Sequence, residues 1–516
     1  MSYIIEQKIK GRTYLYKVEA YWDKEKKQSR QKRTYIGPKK SKNKKPVQSI
    51  KANIVHKNYG NVFLLNKLAE RTGLKGILEK CFPSQYKELL ALAFYEISEA
   101  SPLYLFPYWL EENYLPNVKK MDSSSISKFC DELGRNQQAQ LAFQEEWISY
   151  LQPVEALYYD IPSTSSYSTN INFVEWGYNR DHENLAQINL GVVFSNNRSL
   201  PLFYKLYPGS IVDVKTLLNC VKYLKGMGLE DFLFVLDRGF FSINNIDTIS
   251  QEPLKINFIQ PLPFSLKKTK ELIKAHRREL YDVKTNFVFN DELLSHVKSQ
   301  ITIHERTYTV HIYLNQKAEL EQRQLFMKKL IEIEEKIIKK KKFDTQKEAL
   351  TFKENNIPKA YHDYFKYTRH SGMIERHTQR IKEKISRFGF FILATDSDNF
   401  SKEDILIKYR NKDRVEKTFD LLKNEMDGAR LRAHSQYNTD ARLFIKFLGL
   451  IIQSEIVKHM RKNDLFKTYS IKQMLSELKK VKYARINDET IISEISKRNR
   501  KIFEAFNIEE KEIHCY

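Results

Sequence analysis

The period of apolar positions changes from one region of the chain to the next. Residues 1–56 alternate polar and apolar side chains around Tyr14, Tyr16, Val18 and Tyr21, which predicts a small β-rich arm running into a basic stretch. Beyond a loop near Pro46, residues 57–150 read as helices interrupted near Pro83, Pro107 and Pro116. Within them, Ser123–Leu141 predicts a helix pair with Asp and Ser caps, suited either to helix-turn-helix DNA binding or to a plain bundle. From 151 to 261 the pattern is that of strands: Val154–Asp160, Gln187–Phe194 and Leu202–Tyr207, a helix at Val214–Lys225, then strands at Phe232–Asp237 and Asn257–Gln260.

Residues 262–386 interrupt this region and are expected to form an insertion domain. They hold β pieces at Phe287–Phe289 and Tyr308–Leu314 and a charged helix from Lys317 to Lys341. The apolar positions of that helix (Leu325, Leu330, Ile333, Ile337) require a packing partner, within the chain or in a second protomer. Its Lys339–Lys342 cluster is either a solvated helix end or a DNA contact. Residues 387–463 return to the main region with a buried strand at Gly389–Thr395, and 464–516 are expected to be helical. The longest apolar run, Leu443 to Val457, is broken by Lys446, Gln453 and Glu455 and is too short for a bilayer, so it predicts a buried helix.

Candidate chemistry lies where these elements end. Asp160 and Asp237 each close a β-branched and aromatic run, so each carboxylate stands where a buried strand emerges. Around residue 416 the period becomes helical. Val415, Phe419, Leu422 and Met426 make one buried stripe, and Tyr409, Lys412, Glu416 and Lys423 make a second, about 100° around. Glu416 flanked by lysines would also suit ordinary helix pairing. That reading leaves the two strand-end aspartates unexplained.

Charge sharpens the picture. Lys and Arg number 87 against 64 Asp and Glu, a net +23, which points to a polyanionic partner. The densest basic stretch, residues 24–45, contains Arg30, Lys32 and Arg33 and a single acid, Glu25; it is either a solvated tail or a phosphate contact. Cys81, Cys130, Cys220 and Cys515 match neither a disulfide framework nor a zinc pattern and fit a reducing compartment. The start, MSYIIEQKIKGR, carries no signal-peptide pattern, and the absence of a GxxxxGK[ST] loop argues against an ATP-driven motor.

Tyr409-x2-Lys412-x3-Glu416-x6-Lys423 resembles the Tyr-x2-Arg-x3-Glu-x6-Lys signature of DDE transposases encoded by bacterial insertion sequences. Lysine stands where that family has arginine, which keeps the charge and loses the planar fork; Arg410 lies two residues away. Further blocks resemble the family in its order: the Ser/Thr-rich stretch after Asp160, GYNRDHENLAQINLGVVF, PLFYKLYPGSIVD, VLDRGFF and GFFILATD. YWDKEKKQSRQKRTYIG resembles the start of one subgroup.

The strand order fits the opening of a ribonuclease-H-like mixed sheet with flanking helices, an α/β fold in which the first and fourth strands are neighbours. Asp160 and Asp237 would then stand several ångströms apart, where two carboxylates repel unless a cation intervenes. The resemblance implies that Asp160, Asp237 and Glu416 hold two Mg²⁺ ions, with Mn²⁺ able to substitute. Hard oxygen ligands suit such ions. It also implies that Tyr409, Lys412 and Lys423 meet the DNA strand end; Arg238, Arg430 and Arg432 are further DNA-binding candidates, although each could serve only its own turn or a nearby acid. The expected activity is cut-and-paste transposition by a homodimer assembled on double-stranded DNA, at terminal inverted repeats and a target site, in the cytoplasm on the bacterial nucleoid. A related nuclease that cuts without joining and a domesticated DNA-binding protein are the rival readings. Some relatives stack a flipped base on an insertion-domain tryptophan during hairpin formation. The tryptophans here, Trp22, Trp109, Trp147 and Trp176, all precede the insertion.

Overall fold

The computed structural model describes residues 2–10, 12–39, 54–161, 163–166, 171, 173–176, 185–211, 213–339, 341–412, 430–431, 433, 435–486 and 489–514. Two compact units are present, one of residues 1–55 with 485–489 and one of 56–484 with 490–516.

The first unit is an antiparallel meander of β1 (Ser2–Ile9), β2 (Arg12–Asp23) and β3 (Gln28–Pro38), one strand more than a hairpin. Asp23 shapes the β2–β3 turn, its carboxylate accepting from the Glu25 and Lys26 amides at 3.1 Å each. Among the described residues of this unit Val18 alone is buried, because a three-stranded sheet offers little interior. A short strand, β4 (Ile54–Asn58), leads out of the arm.

The second unit is built on an eleven-stranded sheet. Its centre comprises β5 (Ala156–Asp160), β6 (Ser163–Ser166), β7 (Gln187–Ser195), β8 (Leu200–Pro208), β9 (Leu233–Val235) and β10 (Asn257–Pro261). β7 pairs antiparallel with β8 and with β5 and β6, while β5, β9 and β10 run parallel. The spatial order β8-β7-β5-β9-β10, with helix Asp213–Gly226 between β8 and β9, is the ribonuclease-H-like arrangement. Ala156 to Tyr159 and Leu233 to Val235 are buried in unbroken runs, as befits strands covered on both faces.

The interruption after β10 shares strands with the main sheet. β11 (Asn286–Phe289), β12 (Glu292–Ile303) and β13 (Arg306–Leu314) form a meander that continues the main sheet, because β13 pairs with the returning strand β16 (Phe390–Thr395), which in turn pairs with β10. Tyr308 to Leu314 are all buried, so β13 is an interior strand and cannot belong to a detached body. A distinct smaller core forms only between Phe326 and Phe388, where helix Gln316–Glu332 buries Phe326 and Leu330. That core includes the hairpin β14 (Phe365–Thr368) and β15 (Met373–Arg376). In the basic cluster at the helix end, Lys341 lies over the Phe352 ring at 4.6 Å.

Residues 57–150 pack into the same core as the sheet. Helix Gln436–Lys462, buried over much of its length as the Leu443–Val457 run predicts, lies against helices Tyr86–Ser98 and Ser123–Arg135 and against β8. Gly134 allows the closest approach: a Cβ there would stand 1.9 Å from the Tyr437 carbonyl oxygen. The expected pair is helix Ser123–Arg135, capped by Asp122, and helix Gln137–Leu151, with Asn136 between them. The first helix packs on Gln436–Lys462, and its outer side carries Asp131 and Glu132 beside Lys128 and Arg135. The region 464–516 is not wholly helical, since it contains strands β18 (Lys482–Ile486) and β19 (Glu489–Ile492) beyond β17 (Arg430–Leu431). It closes on the helical region, with Tyr59 donating its hydroxyl to the Ile513 carbonyl at 2.9 Å.

Candidate active site

The register of β5 and β9 fixes the two aspartates. Tyr158 pairs with Val235 in parallel, so Asp160 and Asp237, each two residues further on, leave neighbouring strands at the same end of the sheet. Adjacent strands lie about 4.8 Å apart, which brings the chain near these two residues together. Asp160 is still held in the ladder, paired with Val192 of β7. Asp237 has already turned out of β9, and its Oδ1 accepts from the Arg238 amide at 2.6 Å, opening the turn Arg238–Phe240.

A buried glutamine on the third parallel strand secures that turn. Gln260 donates its Nε2 to the Asp237 carbonyl at 2.8 Å. Sequence reading passed over Gln260, although a polar residue inside the apolar run NFIQPL was a signal that it has a partner. Arg238 is exposed, with its guanidinium 5.6 Å from the Phe264 ring centre.

Residues 402–412 form a helix. Ile405 and Leu406 are fully buried under it, and Tyr409 packs on the core. Two tyrosines of the sheet fasten its backbone: Tyr158 donates to the Lys408 carbonyl at 2.8 Å and Tyr313 to the Lys402 carbonyl at 2.6 Å. Arg410 points elsewhere, to Glu292 at 2.7 Å.

Lys412 ends the described part of the helix on the sheet-facing side. Its Nζ lies 3.5 Å from Asp237 Oδ1, with its side chain 6% exposed and that of Asp237 48% exposed. The expected alternatives for Lys412 were a DNA phosphate and an intrahelical pair with Glu416; the structure places it against a strand-end aspartate. Glu416, Lys423 and Arg432 lie outside the described residues, and for Arg430 only the backbone is described, paired with Ser165. Among the described residues, no three His, Cys, Asp or Glu side chains are grouped closely enough to hold a metal ion. The oxygen donors of Asp160 and Asp237 suit a hard divalent cation and would provide part of such a site.

The arm residues divide. Arg30 is 3.4 Å from Asp23, and Lys32 stands opposite Glu19, whereas Arg33 stands opposite the buried Val18.

A ribonuclease-H-like sheet with two aspartates at the ends of its adjacent central strands defines the class: a mixed α/β fold of nucleic-acid-processing type. The family model for the transposase DDE domain matches residues 160–452, more than half of the sequence, and the chain belongs to that family. No curated protein matches it by sequence. Among solved structures it is similar to a piggyBac transposase in a synaptic complex with hairpin DNA, at 11% identity and a TM-score of 0.35, over 76% of this chain and 70% of that one. Among the described residues no single helix is long and apolar enough to cross a membrane.

Proposed function

We propose that the chain is a Mg²⁺-dependent DNA transposase of a bacterial insertion sequence, cleaving element ends and joining them to target DNA by cut and paste. The observation that carries this reading is the parallel register that brings Asp160 and Asp237 to one end of the sheet, with Lys412 against Asp237. Glu416, four residues or about one helical turn beyond Lys412 in sequence, is the third member of the ligand set. Paired divalent ions, when bound, would activate the attacking oxygen and stabilise the leaving one.

The chain's own groups do the positioning. Gln260 and the Arg238 amide hold the Asp237 turn, so its carboxylate needs little reorganisation. Lys412 offsets the charge of Asp237 and presents its ammonium to a phosphate entering the site. Tyr409, Lys423, Arg238, Arg430 and Arg432 are assigned to the surrounding DNA backbone, and Arg33 to contacts made by the arm. The DNA partners are terminal inverted repeats and target duplex, bound by a homodimer on the nucleoid in the cytoplasm.

The test compares Asp237→Asn with wild type on an end-bearing duplex. The variant should bind the duplex normally and lose Mg²⁺-dependent nicking. Normal nicking by Asp237→Asn would overturn the assignment. Nicking by wild type with no joined product would favour the nuclease that cuts without strand transfer.

A further inference from the structure

The arm sheet separates its side chains by chemistry. Register places Arg12, Tyr14, Tyr16, Val18, Ala20 and Trp22 of β2 on one face, with Tyr3, Ile5 and Ile9 of β1 and Arg33 and Tyr35 of β3 beside them. The strand carboxylates Glu6, Glu19 and Asp23 all fall on the opposite face, where Lys17 pairs with Glu19 and Arg30 with Asp23. One face is therefore aromatic, carries two arginines and has no acid.

That face is also open. Trp22 is 64% exposed, Tyr35 53% and Tyr3 48%. Tyr35 is braced by Tyr14 and Tyr16, with ring centres 5.9 and 5.5 Å away, and Gln31 donates to the Tyr3 hydroxyl at 3.1 Å. Two of the three exposed rings are thus held in place by neighbours. Lys24, Lys26 and Lys27 occupy the turn that follows Trp22. Residues 1–39 carry eleven Lys and Arg against four carboxylates, so two such sheets repel and a polyanion is attracted.

We infer that this face is a binding platform for single-stranded DNA, with bases stacked on Trp22, Tyr35 and Tyr3 and phosphates met by Arg33 and Arg12. Exposed rings on an acid-free sheet face accept unstacked bases of any sequence, and a duplex hides the faces that such rings need. The inference extends the DNA-processing reading to a strand-specific surface, and its test involves no cleavage.

Fluorescence anisotropy with the full chain, in EDTA, would compare a labelled oligothymidylate of about 20 nucleotides with a duplex of equal length. Trp22→Ala and Tyr35→Ala should each weaken single-strand binding about 5- to 100-fold while altering duplex binding less than about twofold, and Trp22→Phe should retain most of the affinity. Arg33→Ala should flatten the salt dependence for the single strand. Equal losses on both DNAs, or no loss on either, would overturn the inference. So would a self-association abolished by Trp22→Ala in sedimentation, which would assign the face to a second copy of the chain. Since Trp22 is largely exposed, its replacement leaves folding intact, and cleavage by the same variant reports on the active site separately.

Discussion

The eleven-stranded sheet and the sheet of the arm use the same backbone geometry under opposite conditions of burial. In the eleven-stranded sheet, β5 and β9 are covered on both faces, and their apolar runs leave no freedom of register. In the arm, one residue of thirty-odd is buried and the rings lie on the surface. A sheet that must deliver two carboxylates to the same place needs the first kind of environment. A sheet that offers side chains to a large partner needs the second.

Core truncation should expose this contrast most strongly. Phe234→Ala, in the centre of β9, should destabilise the second unit by about 3–5 kcal/mol in urea unfolding, the cost of a cavity at a fully buried aromatic. A loss below about 1 kcal/mol would mean that β9 is not the rigid support described here.

Acid should act next, through the part of the sheet contributed by the interruption. His296 and His311 meet across β12 and β13 with ring nitrogens 3.0 Å apart. Burial holds His296 down to about 3 and His311 to about 4, from an ordinary value of 6.5; the positive charge that His311, Lys402 and Lys298 would present adds to the effect on His296. The unfolded chain takes up these protons below about pH 6.5 and the folded chain does not, so their contribution to stability is complete above that pH and is lost progressively as pH falls towards 4 and 3. Urea midpoints measured between pH 7.5 and 4 should fall on the acid side, and His296→Phe should flatten that slope. An unchanged slope would leave the pair without a role in acid sensitivity.

Lys412→Ala should slow cleavage by the equivalent of about 1–3 kcal/mol, the range for a charge-assisted contact, while Lys412→Arg should stay within a few-fold of wild type. Rates within twofold for Lys412→Ala would reduce the Asp237 contact to packing. The smallest effect is expected in the arm: Ile4→Ser, on the charged face and 62% exposed, should change stability by no more than about 0.5 kcal/mol. A larger loss would show that the arm has an interior after all.

Much of the eleven-stranded sheet was legible because its strands are local apolar runs. β5, β7, β8, β10 and β16 lie within a few residues of their sequence-derived limits, and Asp160 and Asp237 were found as strand ends. β12 was missed because ELLSHVKSQITI mixes polar and apolar residues in the manner of a loop, and its partners, β11 and β13, are not written in its own pattern. For the same reason the sequence does not announce that pairing between β13 and β16 joins the interruption to the main sheet. The contacts of Gln260 and Lys412 with Asp237 connect residues far apart in the chain, and no spacing rule announces them.

Asp160 and Asp237 are proposed to act together as ligands of one divalent cation. Electron paramagnetic resonance of Mn²⁺ titrated into the protein without DNA reads this directly. Asp160→Asn and Asp237→Asn should each weaken Mn²⁺ binding at least about tenfold, the scale of a lost metal contact, and the double substitution should add little further. Wild-type affinity in either single variant would contradict it.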